Sequence, residues 1–173
     1  MARTPNPLTE ARKLLASRPD LAERLILLAA EGSTTDVVCS AANAASIFRP
    51  HLSGLEAEQL WCAALDRRRR VIDCGMLTAG SDAFTVVDPR QVYRWALTRK
   101  RPCAAIILAH NHPSGDPTPS HQDRDITRRI AAGGRTLGMP LLDHIIIGAG
   151  VSYRSLAEQG DLPHYNEEPT WTA

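Results

Sequence analysis

Two histidines and an aspartate lie close together in the stretch HNHPSGDPTPSHQD, from His110 to Asp123. Side chains at positions i and i+2 of a strand point to the same face, so His110 and His112 are expected to point one way and Asn111 the other. Asp123 is expected in the first turn of a helix opened by Ser120. Two imidazoles and one carboxylate suit zinc with a fourth position left for water, which is the pattern of catalytic zinc sites. Such an ion lowers the pKa of a bound water to about 7 and polarises a carbonyl group.

The same stretch has a second interpretation that needs no metal. Ser120-x-x-Asp123 is an acidic variant of the helix capping box, which satisfies backbone N–H groups at a helix start. A proline-bearing turn between a strand and a helix is also ordinary. Glycine permits unusual backbone angles and proline limits the unfolded chain, and the loop contains Pro113, Gly115, Pro117 and Pro119. The spacing alone leaves the metal site and the structural turn both open.

Strand and helix patterns alternate along the chain, which predicts an α/β or α+β layer fold with a mixed sheet. The apolar run 103–109 is expected to be a buried strand that ends on the histidines. Further strands are expected at 62–66, 69–77, 85–87, 140–148 and 151–153, with brief β-branched character at 36–40. Helices are expected at 7–18, 20–31, 41–48, 55–61, 90–100 and 123–137. These elements divide the chain into a short helical N-terminal segment (1–34), a main domain (35–162) and a flexible polar tail (163–173).

Composition excludes several classes of protein. The chain has 173 residues, 43% of them apolar and 23% charged, with a formal net charge of +1. This balance gives no general attraction to nucleic acid or to a membrane surface. No apolar run is long enough to cross a bilayer, and no secretory signal is visible. None of the four cysteines forms a CxxC pair, which predicts free thiols in the cytoplasm, with a disulfide framework as the alternative.

The spacing His-x-His, seven residues, Ser, two residues, Asp is similar to the JAMM signature of MPN+ (JAB) metalloprotease domains. The fuller text HNHPSGDPTPS, followed by LLDHIIIG, resembles the RadC-like branch of that family, and the similarity runs from Thr35 to Leu162. The resemblance implies an MPN/JAB-like mixed β-sheet flanked by helices and one zinc ion per chain. It implies His110, His112 and Asp123 as ligands, and Ser120 as a polar group near the reacting carbonyl.

The resemblance also implies a catalytic glutamate upstream, on a helix that precedes a strand. The text LEAEQLWCAALD occupies that place, with Glu58 as the preferred general base and Glu56 as the competing choice. The resulting hypothesis is a zinc-dependent peptidase or isopeptidase that acts on a peptide or protein substrate. His144, on an apolar strand, is expected to be a hydrogen-bonded core histidine rather than a ligand. No pattern in the sequence specifies the substrate or the oligomeric state.

Two other functions compete with the peptidase hypothesis. Basic clusters at 67–70, 99–101 and 128–129 support a second hypothesis, a metal-dependent protein of DNA repair that binds or processes nucleic acid, although solvated surface charge is the preferred explanation of these clusters. The letters HNH are adjacent here, unlike the separated residues of the nuclease motif of that name. RadC-like proteins commonly carry an N-terminal helix-hairpin-helix segment, and residues 1–34 are shorter and lack its glycine-bearing hairpin. The third hypothesis is a catalytically silent scaffold, against which the intact ligand set argues.

Overall fold

A computed structural model describes residues 37–80 and 87–162 of the chain. The predicted N-terminal segment, nearly all of the predicted strand at 85–87 and the predicted tail after Leu162 lie outside the described residues. In the part of the chain that is described, no helix has the length and apolar character needed to cross a membrane.

The described strands form one five-stranded mixed sheet. In chain order they are β1 (Gln59–Leu65), β2 (Val71–Ala79), β3 (Ala105–Asn111), β4 (Leu141–Ile147) and β5 (Tyr153–Ser155). Their order across the sheet is β2-β1-β3-β4-β5, and β3 pairs antiparallel with β1 but parallel with β4. A parallel pair needs a crossover connection of a dozen or more residues, which is usually a helix, so one is expected between β3 and β4. The predicted mixed sheet is confirmed.

Three helices flank the sheet within the described ranges: α1 (Ala41–Leu52), α2 (Pro89–Leu97) and α3 (His121–Leu137). Each begins at a side chain that accepts a backbone N–H: Ser40, Asp88 and Ser120, respectively. Helix α3 supplies the crossover between β3 and β4. It ends at Leu137, and the following Gly138 has a φ of 64°, in the left-handed region that glycine adopts readily.

The core lies on both faces of the sheet, with β3 buried along its whole length. Ile107 and Ala109 point toward α1 and belong to one apolar cluster. Ile106 and Leu108, on the alternate positions, belong to a second cluster under α2 and α3. Burial on both faces explains why β3 is a continuous apolar run in the sequence rather than an alternating one.

The helix predicted to begin within 55–61 is wrong. Strand β1 begins at Gln59, and the four residues before it form no regular helix or strand. The carbonyl oxygens of Leu55 and Ala57 accept hydrogen bonds from the side chain of Asn111. This segment therefore reaches the sheet as an irregular lead-in to β1, with its polar backbone groups bonded to β3.

The predicted end of the first described helix before Pro50 is also wrong, because α1 continues through this proline to Leu52. Proline inside a helix typically costs about 3 kcal/mol. Phe48 and Leu52, one turn apart, are both fully buried. Between them, the Arg49 guanidinium donates to the carbonyl oxygens of Gly150 and Val151. These tertiary contacts outweigh the tendency of Pro50 to end the helix.

Candidate metal centre

The end of β3 brings the two histidines to one end of the sheet. His110, the penultimate residue of β3, is fully buried and lies opposite Leu60 of β1. His112 follows the strand directly, and its Nε2 atom lies 3.0 Å from Nε2 of His110. The expected same-side arrangement of the two rings is confirmed.

Four side chains converge at this end of the sheet: Glu58, His110, His112 and Asp123. One ligand atom from each lies within 4.8 Å of the other three. His110 Nε2 is 3.3 Å from Asp123 Oδ1, and His112 Nε2 is 3.5 Å from Asp123 Oδ2. Glu58 Oε1 is 3.8 Å from His110 Nε2, farther out than the other contacts. The structure thus brings together residues that are up to 65 positions apart in the sequence.

The loop after β3 holds His112 in one orientation. Its Nδ1 atom lies 2.7 Å from the carbonyl oxygen of Asp116, which can only accept. Nδ1 therefore carries a hydrogen, and when the ring is neutral its Nε2 presents a lone pair to the cluster. The loop itself is bound to the turn between β4 and β5, where the Ala149 N–H donates to the Gly115 carbonyl at 2.8 Å. Gly115 has a φ of 79°, so glycine is needed at this contact.

Asp123 is both a helix cap and a member of the cluster. Its Oδ2 accepts the Ser120 N–H at 2.6 Å, while the Ser120 hydroxyl accepts the Asp123 N–H at 3.1 Å, which completes the capping box. The carboxylate is 2% exposed and also faces both histidines. The two interpretations of the Ser-x-x-Asp spacing are therefore compatible, because the cap orients the carboxylate toward the rings.

Asn111 holds the segment that carries Glu58. Its side chain points away from the histidines, as the strand alternation predicts, and is 3% exposed. Its Oδ1 accepts the Gln59 N–H at 2.9 Å, and its Nδ2 donates to the Ala57 carbonyl at 3.1 Å and the Leu55 carbonyl at 3.4 Å. These bonds bracket Glu58 on both sides. The sequence does not indicate that Asn111 bonds the peptide groups around Glu58, although the alternation in HNH places its side chain on the face opposite the histidines.

The structure separates the two candidate glutamates. Glu58 is half-buried and joins the cluster, whereas Glu56 is exposed and lines a neighbouring cavity of about 210 Å³ together with Asn111 and His112. Ser120 is exposed, and its hydroxyl oxygen serves as the acceptor of the α3 cap. Its hydroxyl hydrogen is used by neither bond of the capping box.

His144 is the hydrogen-bonded core histidine that the sequence predicts. It lies on β4, opposite Leu108 of β3, and is fully buried. Its Nε2 is 2.9 Å from Nδ1 of His110, and its Nδ1 is 2.6 Å from the Thr127 hydroxyl. His144 therefore contacts the far side of a histidine in the cluster. No pattern in the sequence indicates that His144 contacts His110 on the neighbouring strand, or that it contacts the Thr127 hydroxyl.

Burial and neighbouring charges set the protonation of the cluster. Burial raises the pKa of Glu58, while His112 lowers it and Asp123 raises it further. Burial also opposes ionisation of Asp123, but hydrogen bonding with His112, the charge interaction with His110 and the Ser120 bonds hold its pKa well below the usual range. Burial, reinforced by His144, lowers the pKa of His110. At neutral pH, Asp123 is ionised, His110 is neutral, and Glu58 binds a proton more readily than an exposed glutamate does.

The donor atoms fit a divalent metal ion. Tetrahedral zinc with bonds of about 2.0–2.1 Å separates its ligand atoms by roughly 3.3–3.4 Å. The distances among His110 Nε2, His112 Nε2 and the Asp123 oxygens are 3.0, 3.3 and 3.5 Å. The lone pairs of two ring nitrogens and a carboxylate at such distances repel one another unless a proton or a metal ion lies between them. The residues present therefore form a site that could bind a metal.

The basic cluster at 67–70 lies away from this site and is partly neutralised. Arg67, Arg68, Arg70 and Arg101 line a cavity of about 590 Å³ with Asp66, just beyond the Leu65 end of β1. The histidines lie near the opposite end of that strand, where Leu60 pairs with His110. Asp66 lies 3.2 Å from the Arg101 guanidinium and 3.8 Å from that of Arg70. Part of the positive charge is therefore balanced within the cavity.

Comparison with known proteins gives a consistent match. The model of the RadC-like JAB domain matches residues 38–161. A UPF0758 protein of Symbiobacterium thermophilum is 40% identical over 125 residues, which cover 72% of this chain and 52% of the relative. A UPF0758 protein of Listeria monocytogenes is 37% identical over 153 residues, 88% of this chain and 66% of the relative. The chain spans about half to two thirds of the length of these curated relatives. It belongs to the RadC-like JAB domain family.

Proposed function

We propose that this domain is a zinc-dependent hydrolase of peptide or isopeptide bonds. His110, His112 and Asp123 would hold the ion, Glu58 would act as general base and Ser120 would assist at the reacting carbonyl. The observation that carries the proposal is the convergence of two histidines and two carboxylates within 4.8 Å at one end of the sheet. Membership of the JAB/MPN family, whose domains are often metallohydrolases, supports it.

Hydrolysis of a peptide or isopeptide bond at this site would use the metal ion and three side chains. A zinc ion at this site would supply an activated water and polarise the substrate carbonyl. Glu58 accepts the proton of the attacking water on its carboxylate and returns it to the nitrogen of the leaving amine. Its raised pKa suits this double role. The Ser120 hydroxyl donates to the oxygen of the substrate carbonyl as negative charge develops there. Asn111 keeps Glu58 in place by bonding the peptide groups on both sides of it.

The competing functions have less support. Nucleic-acid binding would rely on the arginine cavity, where Asp66 already pairs with two of the arginines. A silent scaffold would not need four converging ligand-type side chains. The proposal concerns this domain, because the chain covers part of the length of its relatives. The four cysteines carry free thiols, which supports the proposal of a cytoplasmic protein.

Zinc binding tests the ligand assignment directly. The purified chain is expected to hold about one zinc ion, measured by elemental analysis and by titration of metal-free protein. Zinc at a thousand times its dissociation constant adds about 4 kcal/mol to the free energy of unfolding. Asp123→Ala should lose zinc, whereas Asp125→Ala, on the exposed side of the same helix turn, should keep it. Unchanged zinc affinity in Asp123→Ala would mean that Asp123 is a cap and not a ligand.

Two glutamine variants test the general base. Glu58→Gln keeps the size and hydrogen bonding of the side chain but cannot take the proton. We expect unchanged zinc content and melting temperature, with turnover reduced about 10²- to 10⁴-fold. Glu56→Gln is the matched control, since that side chain is exposed and lies outside the cluster. Turnover is measured on a fluorogenic peptide or isopeptide selected from a library with the unmodified protein. Loss of activity in Glu56→Gln would contradict the assignment of Glu58 as general base. Full activity in both variants would also contradict it.

A further inference from the structure

We propose that His144 and Thr127 are positioning residues that fix which nitrogen of His110 faces the metal. The inference rests on the proposed metal centre. Its basis is a continuous series of contacts behind His110: His110 Nδ1 to His144 Nε2 at 2.9 Å, His144 Nδ1 to Thr127 Oγ1 at 2.6 Å, and Thr127 Oγ1 to the Asp123 carbonyl oxygen at 2.5 Å. His110, His144 and Thr127 are each fully buried.

The direction of these hydrogen bonds follows from their last member. A carbonyl oxygen has no hydrogen, so the 2.5 Å contact requires the Thr127 hydroxyl to donate to Asp123. The hydroxyl has one hydrogen, and its oxygen must therefore accept from His144 Nδ1. Because a neutral imidazole carries one N–H, His144 Nε2 then accepts from His110 Nδ1. The hydrogen of His110 is thereby placed on Nδ1, and its Nε2 presents a lone pair to the cluster.

The opposite direction is disfavoured by the same contacts. If His144 Nε2 donated to His110, its Nδ1 would need the hydroxyl hydrogen of Thr127. The Thr127 and Asp123 oxygens would then face each other at 2.5 Å with no hydrogen between them. His110 would also be free to carry its own hydrogen on Nε2, the nitrogen that faces His112 and Asp123. Metal binding would then require that hydrogen to be moved first.

The arrangement links the two sides of the site. Thr127 lies one turn after Asp123 on α3, and His144 lies on β4 beside β3. The series of hydrogen bonds therefore begins at the His110 ring and ends at the backbone carbonyl of Asp123. His112 has a separate anchor, the Asp116 carbonyl, which sets its Nε2 toward the same point. Each ring is thus oriented by its own acceptor, as is usual for histidine ligands of metals.

The first measurement reads the tautomer without any metal. Long-range ¹H–¹⁵N spectra of the metal-free chain should show His110 with its hydrogen on Nδ1. In Thr127→Val, which keeps the shape of the side chain and removes the hydroxyl, His110 should shift toward the Nε2–H form. A wild-type His110 protonated on Nε2 would overturn the inference, whether or not the protein binds zinc.

The second measurement is zinc affinity. Loss of such an outer contact typically weakens metal binding about 10- to 100-fold, and we expect this for Thr127→Val and His144→Leu. His144→Gln should recover part of the affinity, since its amide oxygen can accept from His110 Nδ1. Thr136→Val is the matched control, because Thr136 is an exposed threonine on the same helix whose hydroxyl lies 3.5 Å from the Ala132 carbonyl oxygen.

The outcomes separate this inference from the proposed function. Wild-type zinc binding together with unchanged affinity in Thr127→Val and His144→Leu would refute the positioning role and leave the metal centre standing. A wild-type chain that binds no zinc would refute the metal centre and, with it, the role of His144 and Thr127 in metal binding. Melting of each metal-free variant shows whether the fold is kept, and Thr127→Ser, which restores the hydroxyl, should return affinity to the wild-type value.

Discussion

Replacing Asn111 tests whether the segment that carries Glu58 depends on one side chain. Asn111→Ala removes three hydrogen bonds, to Gln59, Ala57 and Leu55, of which the last is long at 3.4 Å. A typical bond contributes about 0.5–1.5 kcal/mol net, so the variant should lose about 2–3 kcal/mol of unfolding free energy. For a chain of this size that loss lowers the melting temperature by about 4–12 °C.

A one-atom change sharpens the test. Asn111→Asp keeps the acceptor for the Gln59 N–H but places a carboxylate oxygen against the carbonyls of Leu55 and Ala57, where the amide donated. At neutral pH this variant should be less stable than Asn111→Ala, because a buried negative charge then faces two acceptors. Hydrogen exchange at the Gln59 amide should be faster in Asn111→Ala, which removes the acceptor of this N–H.

The assay and its control separate this role from metal binding. Thermal and denaturant unfolding of metal-free protein report stability, and zinc titration reports the ligands. Zinc affinity should stay within a few-fold of wild type, since His110 and His112 keep their own anchors. Asn43→Ala is the control, because the Asn43 side chain accepts a hydrogen bond from the Ser40 hydroxyl at the exposed N-terminal cap of α1. A melting temperature unchanged in Asn111→Ala, or a loss of zinc equal to that in His110→Ala, would refute the reasoning.

Two further predictions concern other parts of the domain. Replacing all four arginines at 67–70 with serine should alter DNA binding and its salt dependence little, since Asp66 already balances part of the charge in this cavity. A steep salt dependence of DNA binding that disappears in the variant would favour the nucleic-acid function. At pH 8, a thiol reagent should label exposed Cys39 before Cys74, because burial raises the pKa of Cys74 to about 12. Mass spectrometry of the native chain identifies the labelled residue, and equal labelling rates would contradict this order.

Local patterns in the sequence determined the half of the site that lies between β3 and α3. Strand alternation set His110 and His112 on one side and Asn111 on the other, because the period of two is a property of the extended backbone. The Ser120 and Asp123 cap is likewise a contact across one helical turn. The alternation of strand and helix patterns was enough to predict the mixed sheet.

Tertiary structure decided the remainder. Glu58 reaches the cluster because Asn111, more than fifty residues later, bonds the peptide groups around it, so a segment with helical character became the lead-in to a strand. The continuation of α1 through Pro50 depends on burial of Leu52. The contact of His144 with His110 exists only where β3 and β4 pair in parallel. Such contacts join residues far apart in the chain. Their free energies exceed the differences in helix propensity between residue types, which are about 1 kcal/mol or less per residue for most of them.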